Sequence, residues 1–158
     1  MIPRIETINE KKLIGKRLRM SFAEYRIGEL WKSFLPRRKE IAQPISGDLI
    51  SMVIYGPNHF THFHPKNEFE RWAALEVVDF EQVPIEMETF TLVGGTYAVF
   101  HYKGLSSDPS IFQYILGTWL PSSDYDLDDR PHFEVLGEKY KNNDPDSEEE
   151  IWIPIRPK

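Results

Sequence analysis

Cysteine is absent from the 158 residues. That excludes disulfides, thiolate metal sites and a thiol nucleophile. A basic surplus is absent too: 19 Lys and Arg stand against 25 Asp and Glu, for a net charge of −6. The electrostatic footprint of a nucleic-acid-binding surface is therefore missing. No apolar run approaches the roughly 20 residues that cross a bilayer, and the N-terminus has no signal-peptide apolar stretch. The expectation is a soluble cytoplasmic protein with no direct nucleic-acid partner and no membrane contact. What the chain does have is rings: ten Phe, seven Tyr and four Trp. Such a supply can line a pocket as well as fill a core. The length suits one domain with a real core.

Two segments carry the same pattern. Ile27, Leu30, Trp31, Phe34 and Leu35 match Phe112, Ile115, Leu116, Trp119 and Leu120, and a proline follows each set, Pro36 and Pro121. The spacing i, i+3, i+4, i+7, i+8 is one buried face of an amphipathic helix. Ser21 to Glu24 has capping-box spacing, so a helix is expected over about 22–35. Asp108-Pro109 is a second helix start, leading to about residue 120. Strands are expected over 4–20, 49–55, 69–80, 90–102, 132–137 and 149–155, where apolar residues alternate or cluster between turn signals. Each half thus reads strand, helix, strand, strand, with halves of approximately 4–80 and 85–158. The fold class expected is α+β: an antiparallel sheet of six to eight strands with two helices on one face, the other face free, and a ligand cleft at the pseudo-twofold seam.

Strand parity nominates the residues of that cleft. Ile151, Ile153 and Ile155 form a uniform aliphatic set facing the helices, which turns Glu150 and Trp152 the other way. Ala98 and Phe100 look like core, leaving Tyr97, Val99 and His101 on the open face. Phe133 and Val135 are the apolar pair of their strand, so Glu134 falls opposite them. Glu134, Trp152, Tyr97 and His101 are then expected to converge, with Glu150 within reach and Tyr55 and Trp72 contributed by the first half. One carboxylate among rings suits a cationic or lipophilic guest, through cation–π attraction and charge, or general-base work. The plainer alternative is that Glu134 is a solvated charge on an exposed sheet face.

Four blocks in order, Gly95 to Gly104, Trp119-Leu120-Pro121, Pro131 to Val135 and Glu150 to Ile155, resemble the GyrI-like small-molecule-binding family. This is the effector-binding domain also found in AraC-type and MerR-type multidrug-sensing transcription regulators. The resemblance covers the second half well and the first half weakly, through Trp31 to Leu35 and Trp72 to Val77. It implies a duplicated βαββ fold with ligands in the cleft between units, no cofactor, an acidic residue (here Glu134) contacting cationic lipophilic drugs, and an aromatic (here Trp152) stacking nearby. Some stand-alone members resemble hydrolases that open cyclopropane-bearing electrophiles with a pocket glutamate. The chain departs from the family pattern at Leu136, where a tyrosine is frequent.

Other clusters carry less. His59, His62 and His64 lie within six residues, but no carboxylate spacing supports a metal site, and a surface loop is the expectation. Asp124, Asp126, Asp128 and Asp129 lack the mid-loop Gly and the bidentate Glu of a calcium loop. Glu148-Glu149-Glu150 reads as a solvated strand end. Three functions follow for testing: a small-molecule-binding protein without a DNA-binding domain of its own; a hydrolase of electrophiles using Glu134 as base; and a protein-interaction module docking through Asp124 to Asp129 and acting on a larger enzyme.

Overall fold

The computed structural model describes residues 1–158. Nine strands form an antiparallel sheet: β1 (Arg4–Ile8), β2 (Lys11–Met20), β3 (Pro44–Tyr55), β4 (Phe69–Val77), β5 (Glu88–Leu92), β6 (Gly95–Lys103), β7 (Tyr125–Leu127), β8 (His132–Leu136) and β9 (Glu148–Pro157). The order is β1-β6-β9-β8-β3-β4-β2-β5, with β7 pairing the end of β9. Helix α1 (Ile27–Phe34) follows β2, and α2 (Ser110–Tyr114) follows β6. The α+β architecture with both helices on one face is as expected. The strand count is higher because 4–20 and 90–102 each break in two, at Asn9-Glu10 and at Val93-Gly94, and because Tyr125–Leu127 adds a short strand where none was expected.

Those breaks exchange strands between the halves. β1 precedes β2 in the chain but pairs with β6, and β5 precedes β6 but pairs with β2. The two linkers touch: a Cβ on Gly94 would stand 2.5 Å from the Ile8 carbonyl oxygen, so only glycine fits. At the centre, Met52 opposes Phe133, and Trp72 and Trp152 flank that pair. A pseudo-twofold through Met52 and Phe133 relates Trp72, whose indole N–H donates to Glu70, to Trp152, whose indole N–H donates to Glu150.

The helices differ from the sequence expectation at both ends. Ser21 caps a turn rather than a helix, its hydroxyl accepting from the Glu24 amide at 3.0 Å, and α1 starts only at Ile27. Neither proline stops its helix. Pro36 sits in the first turn of a 3₁₀ segment, Leu35–Glu40, where a missing N–H costs nothing. α2 widens into a π-helical stretch, Ile115–Trp119, and a last turn, Leu120–Ser122, carries Pro121. Leu30 and Phe34 pack on Ile14, Ala73, Leu75 and Val77. Ile111 and Ile115 pack on Ala98, Phe100, Ile151, Ile153 and Ile155.

The face without helices is not free. Leu13 and Leu92 from one end of the sheet, Tyr97 and Val99 from the other, and Met52, Trp72, Phe133 and Trp152 from the middle form one buried cluster. Residues at opposite ends of the strand order can meet only if the sheet curls, which the right-handed twist of long sheets favours. The curled face closes on itself as a core.

Candidate functional site

Cross-strand register fixes which side chains share a face, because directly opposed residues point the same way. One row reads Trp72, Met52, Phe133, Trp152, Val99 across β4, β3, β8, β9 and β6. The next row, one residue away on the other face, reads Ala73, Ser51, Glu134, Ile151, Phe100. Its ends lie under α1 and α2. Its middle is a polar strip between the two helix-packed clusters.

Glu134 therefore opposes Ser51 and Ile151 on the helix face. This corrects the expected convergence with Trp152 and Tyr97. Parity misled because Phe133 and Val135, the apolar pair, pack into the closed core, so apolar character did not mark the helix side. Tyr97 is fully buried there, its ring 5.8 Å from that of Trp152 and its hydroxyl donating to the Pro131 carbonyl. Trp72 is buried in the same cluster. Glu150 lies on that side too, paired with Arg4 at 2.8 Å, and His101 is exposed with its Nε2 2.8 Å from Glu148. Of the residues expected in the cleft, Tyr55 alone joins Glu134 on the helix face.

Four residues complete the strip. Glu149, two before Ile151 on β9, shares its face and contacts Glu134. Arg71 of β4 leans over the neighbouring β3 and donates from Nη2 to Ser51 Oγ at 2.7 Å. Ser51 is the residue directly opposite Glu134, so guanidinium and carboxyl flank one hydroxyl. His132 precedes Glu134 by two and is buried. Tyr140, from the loop after β8, feels both carboxyls and hydrogen-bonds Ser106 at 3.2 Å.

Burial dominates the electrostatics of the strip. It raises the Glu134 carboxyl, against the opposing pull of Arg71. It pushes Glu149 up to about 8, reinforced by the charge of Glu134. Two adjacent buried carboxyls cannot both ionise cheaply, so at neutral pH the pair keeps at least one proton. Burial also lifts the Tyr55 phenol to about 12 and holds His132 down at about 3, with His59, Arg130 and Arg71 adding to the latter. His132 is thus neutral. The strip therefore sets at most one negative charge, shared by the carboxyl pair, beside the permanent cation of Arg71.

Beside the strip a cavity of about 380 Å³ opens between Tyr55, Phe60 and Thr61 on one side and Leu127, Arg130 and His132 on the other. Phe60 stacks on His132 at 5.8 Å, and His59 lies 4.4 Å from the Tyr55 ring, both at the Tyr55 end of the seam. His59 is buried among those rings, while His62 and His64 are exposed. No three His, Asp or Glu residues are grouped so as to hold a metal. Asp128 is held by Arg130 at 2.6 Å and by Arg156 at 3.5 Å, leaving Asp124, Asp126 on β7 and Asp129 exposed.

Sequence reasoning missed Arg71, Glu149, Ser51, His132 and Tyr140. Two carried a signal. Arg71 has the parity of Ala73, Leu75 and Val77, which makes it a charge on a core-facing row. Glu149 has the parity of Ile151, which the reading of a solvated charge run hid.

A model of the GyrI-like small molecule binding domain matches residues 1–156. The transcriptional regulator BrlR of Pseudomonas aeruginosa is 33% identical over 133 residues, covering 82% of this chain and 46% of that protein. The chain therefore spans about half the length of this curated relative. The structure of SAV2435 bound to tetraphenylphosphonium superposes with a TM-score of 0.68 at 16% identity, over 99% of this chain and 94% of that one. A hydrolase from Listeria innocua superposes at 0.63 and 11% identity, over 98% and 92%. At these identities the two structures share the fold. No helix is long and apolar enough to cross a membrane.

Proposed function

The chain belongs to the GyrI-like small-molecule-binding domain family, and from that premise we propose that it binds small amphipathic aromatic molecules in the polar strip between its two helices. Glu134 takes the positive or N–H-bearing end of the guest. The rings of Tyr55 and Phe60, at the mouth of the adjoining cavity, take the apolar body. One observation carries the proposal: two carboxyls, the half-buried Glu134 and the buried Glu149, stand together on the seam between the helices with no ion-pair partner. Withdrawing such groups from water costs several kcal/mol and gives no packing in return. The apolar row one residue away is what a strip selected for stability would resemble. Ionisable groups kept at such cost mark functional sites. The ligand bound to SAV2435 and the regulator role of BrlR support this reading, and a net charge of −6 favours a small molecule over nucleic acid as the partner.

The test is a thermal-shift screen of aromatic cations, zwitterions and neutral compounds. A ligand that binds only the folded state raises the melting temperature. At least one class is expected to raise that of the wild type and to leave Glu134→Gln unmoved. If no compound shifts the wild type, the pocket is not one.

A second reading has its own support. Glu149, with its proton held to about pH 8, and Glu134 beside it form a donor and an acceptor for moving a proton, and a hydrolase shares the fold. Under this reading a bound electrophile is consumed, with a product detectable by chromatography, and Glu134→Gln keeps binding but loses turnover. Compounds recovered intact after long incubation would leave binding alone.

A further inference from the structure

Arg71 is out of place in a site built only for cations. Its guanidinium makes a single hydrogen bond, from Nη2 to Ser51, and its buried Nε has no partner. No carboxylate is in ion-pair contact with it, whereas Arg4, Arg17, Arg19, Arg26, Arg37, Arg130 and Arg156 each have one. The other arginine without a carboxylate, Arg38, is exposed to water. Arg71 is half-buried, as are Glu134, Tyr55 and Tyr140 around it, so a solute can reach it.

A guanidinium presents a fork of donors that matches a carboxylate or a carbonyl oxygen. On the far side of Ser51, the carboxyl pair presents acceptors. The strip therefore has a donor pole and an acceptor pole, separated by about one strand spacing, roughly 5 Å. A lipophilic monocation satisfies the second pole and leaves the first unmet, next to a second positive charge. An anion does the reverse.

We propose that the guest of this strip is two-ended: an aromatic compound carrying a carboxylate or carbonyl oxygen for Arg71 and, a few bonds away, an ammonium or N–H for Glu134. Aromatic amino acids and their derivatives are the simplest members of this class. The proposal rests on the strip being the ligand site, as proposed above, and adds the chemistry of the guest. It sets this chain apart from a receptor for bare lipophilic cations on the same scaffold.

Three probes that share an indole body separate the cases: tryptophan with both ends, tryptamine with the cation alone and indole-3-propionate with the anion alone. Tetraphenylphosphonium serves as a bulky cation. Titration calorimetry on the full chain is expected to give tryptophan a Kd at least tenfold below those of tryptamine and indole-3-propionate. Arg71→Met, which keeps the aliphatic stem, is expected to bring tryptophan to the level of tryptamine without weakening tryptamine. Glu134→Gln is expected to bring it to the level of indole-3-propionate. Tryptamine or tetraphenylphosphonium binding the wild type as tightly as tryptophan would overturn the two-ended guest while leaving the pocket in place. Binding of none of the four would remove the pocket and the guest together. The wild-type ranking needs no variant, so it stands even if Arg71→Met fails to fold.

Discussion

Two rows of side chains cross the same five strands one residue apart and do opposite things. The row Trp72, Met52, Phe133, Trp152, Val99 is apolar from end to end, with Phe133 and Trp152 stacked at 5.1 Å. The row Ala73, Ser51, Glu134, Ile151, Phe100 is apolar only beneath the helices and carries a carboxyl at its centre. The backbone is common to both, so the difference lies in what covers them. The first row closes on itself as the sheet curls and excludes water. The second is covered by two separate helices, each with its own cluster, and the gap between them is where polar groups survive. The lesson is that in a pseudo-symmetric sheet the seam under the gap, not the face without helices, is where polar groups can stand.

The comparison breaks most severely by emptying the closed row. Trp152→Ala is expected to destabilise the fold by about 3–5 kcal/mol, as large-to-small core changes do, measured by urea denaturation. A loss under about 1 kcal/mol would mean that this face is open after all. The next effect belongs to the strip and depends on pH. The Glu149 carboxyl is raised far above its unfolded value. The folded state therefore keeps a proton that the unfolded state releases near pH 4.3. Stability from this group is full below that value and is lost as pH rises to about 8, by an amount on the order of 5 kcal/mol. Between pH 5 and 8.5, Glu149→Gln is expected to flatten that decline. Parallel pH curves for the two proteins would show that Glu149 is solvated.

How much of this was legible follows from particular residues. The helix-facing rows of β6 and β9 could be read because Ala98, Phe100, Ile151, Ile153 and Ile155 alternate with less uniform partners. β8 could not, since in His132-Phe133-Glu134-Val135-Leu136 both faces are buried and apolar character marks neither. The register that resolves it, Glu134 against Ile151, is a long-range pairing no local pattern encodes. Glu134 was nonetheless singled out, by parity and by the resemblance of its block, on the wrong face. The strand exchange of β1 and β5 was also hidden, because the turn at Asn9-Glu10 lacks Gly or Pro.

The smallest effect lies outside both rows. His101→Ala removes an exposed side-chain contact with Glu148 and is expected to change stability by no more than about 0.5 kcal/mol. Its effect on ligand binding is expected to be nil. Loss of binding in this variant would move the site to the rim of the closed face.

The central claim is that the guest enters the helix-side strip and not the Trp152 face. Proton–nitrogen correlation spectra read both faces at once through side-chain N–H groups: the Arg71 Nε–H on one and the indole N–H of Trp72 and Trp152 on the other. With tryptophan added to saturation, the Arg71 signal is expected to move while the two indole signals hold still. Indole signals that move while Arg71 stays fixed would place the guest on the opposite face and contradict the account.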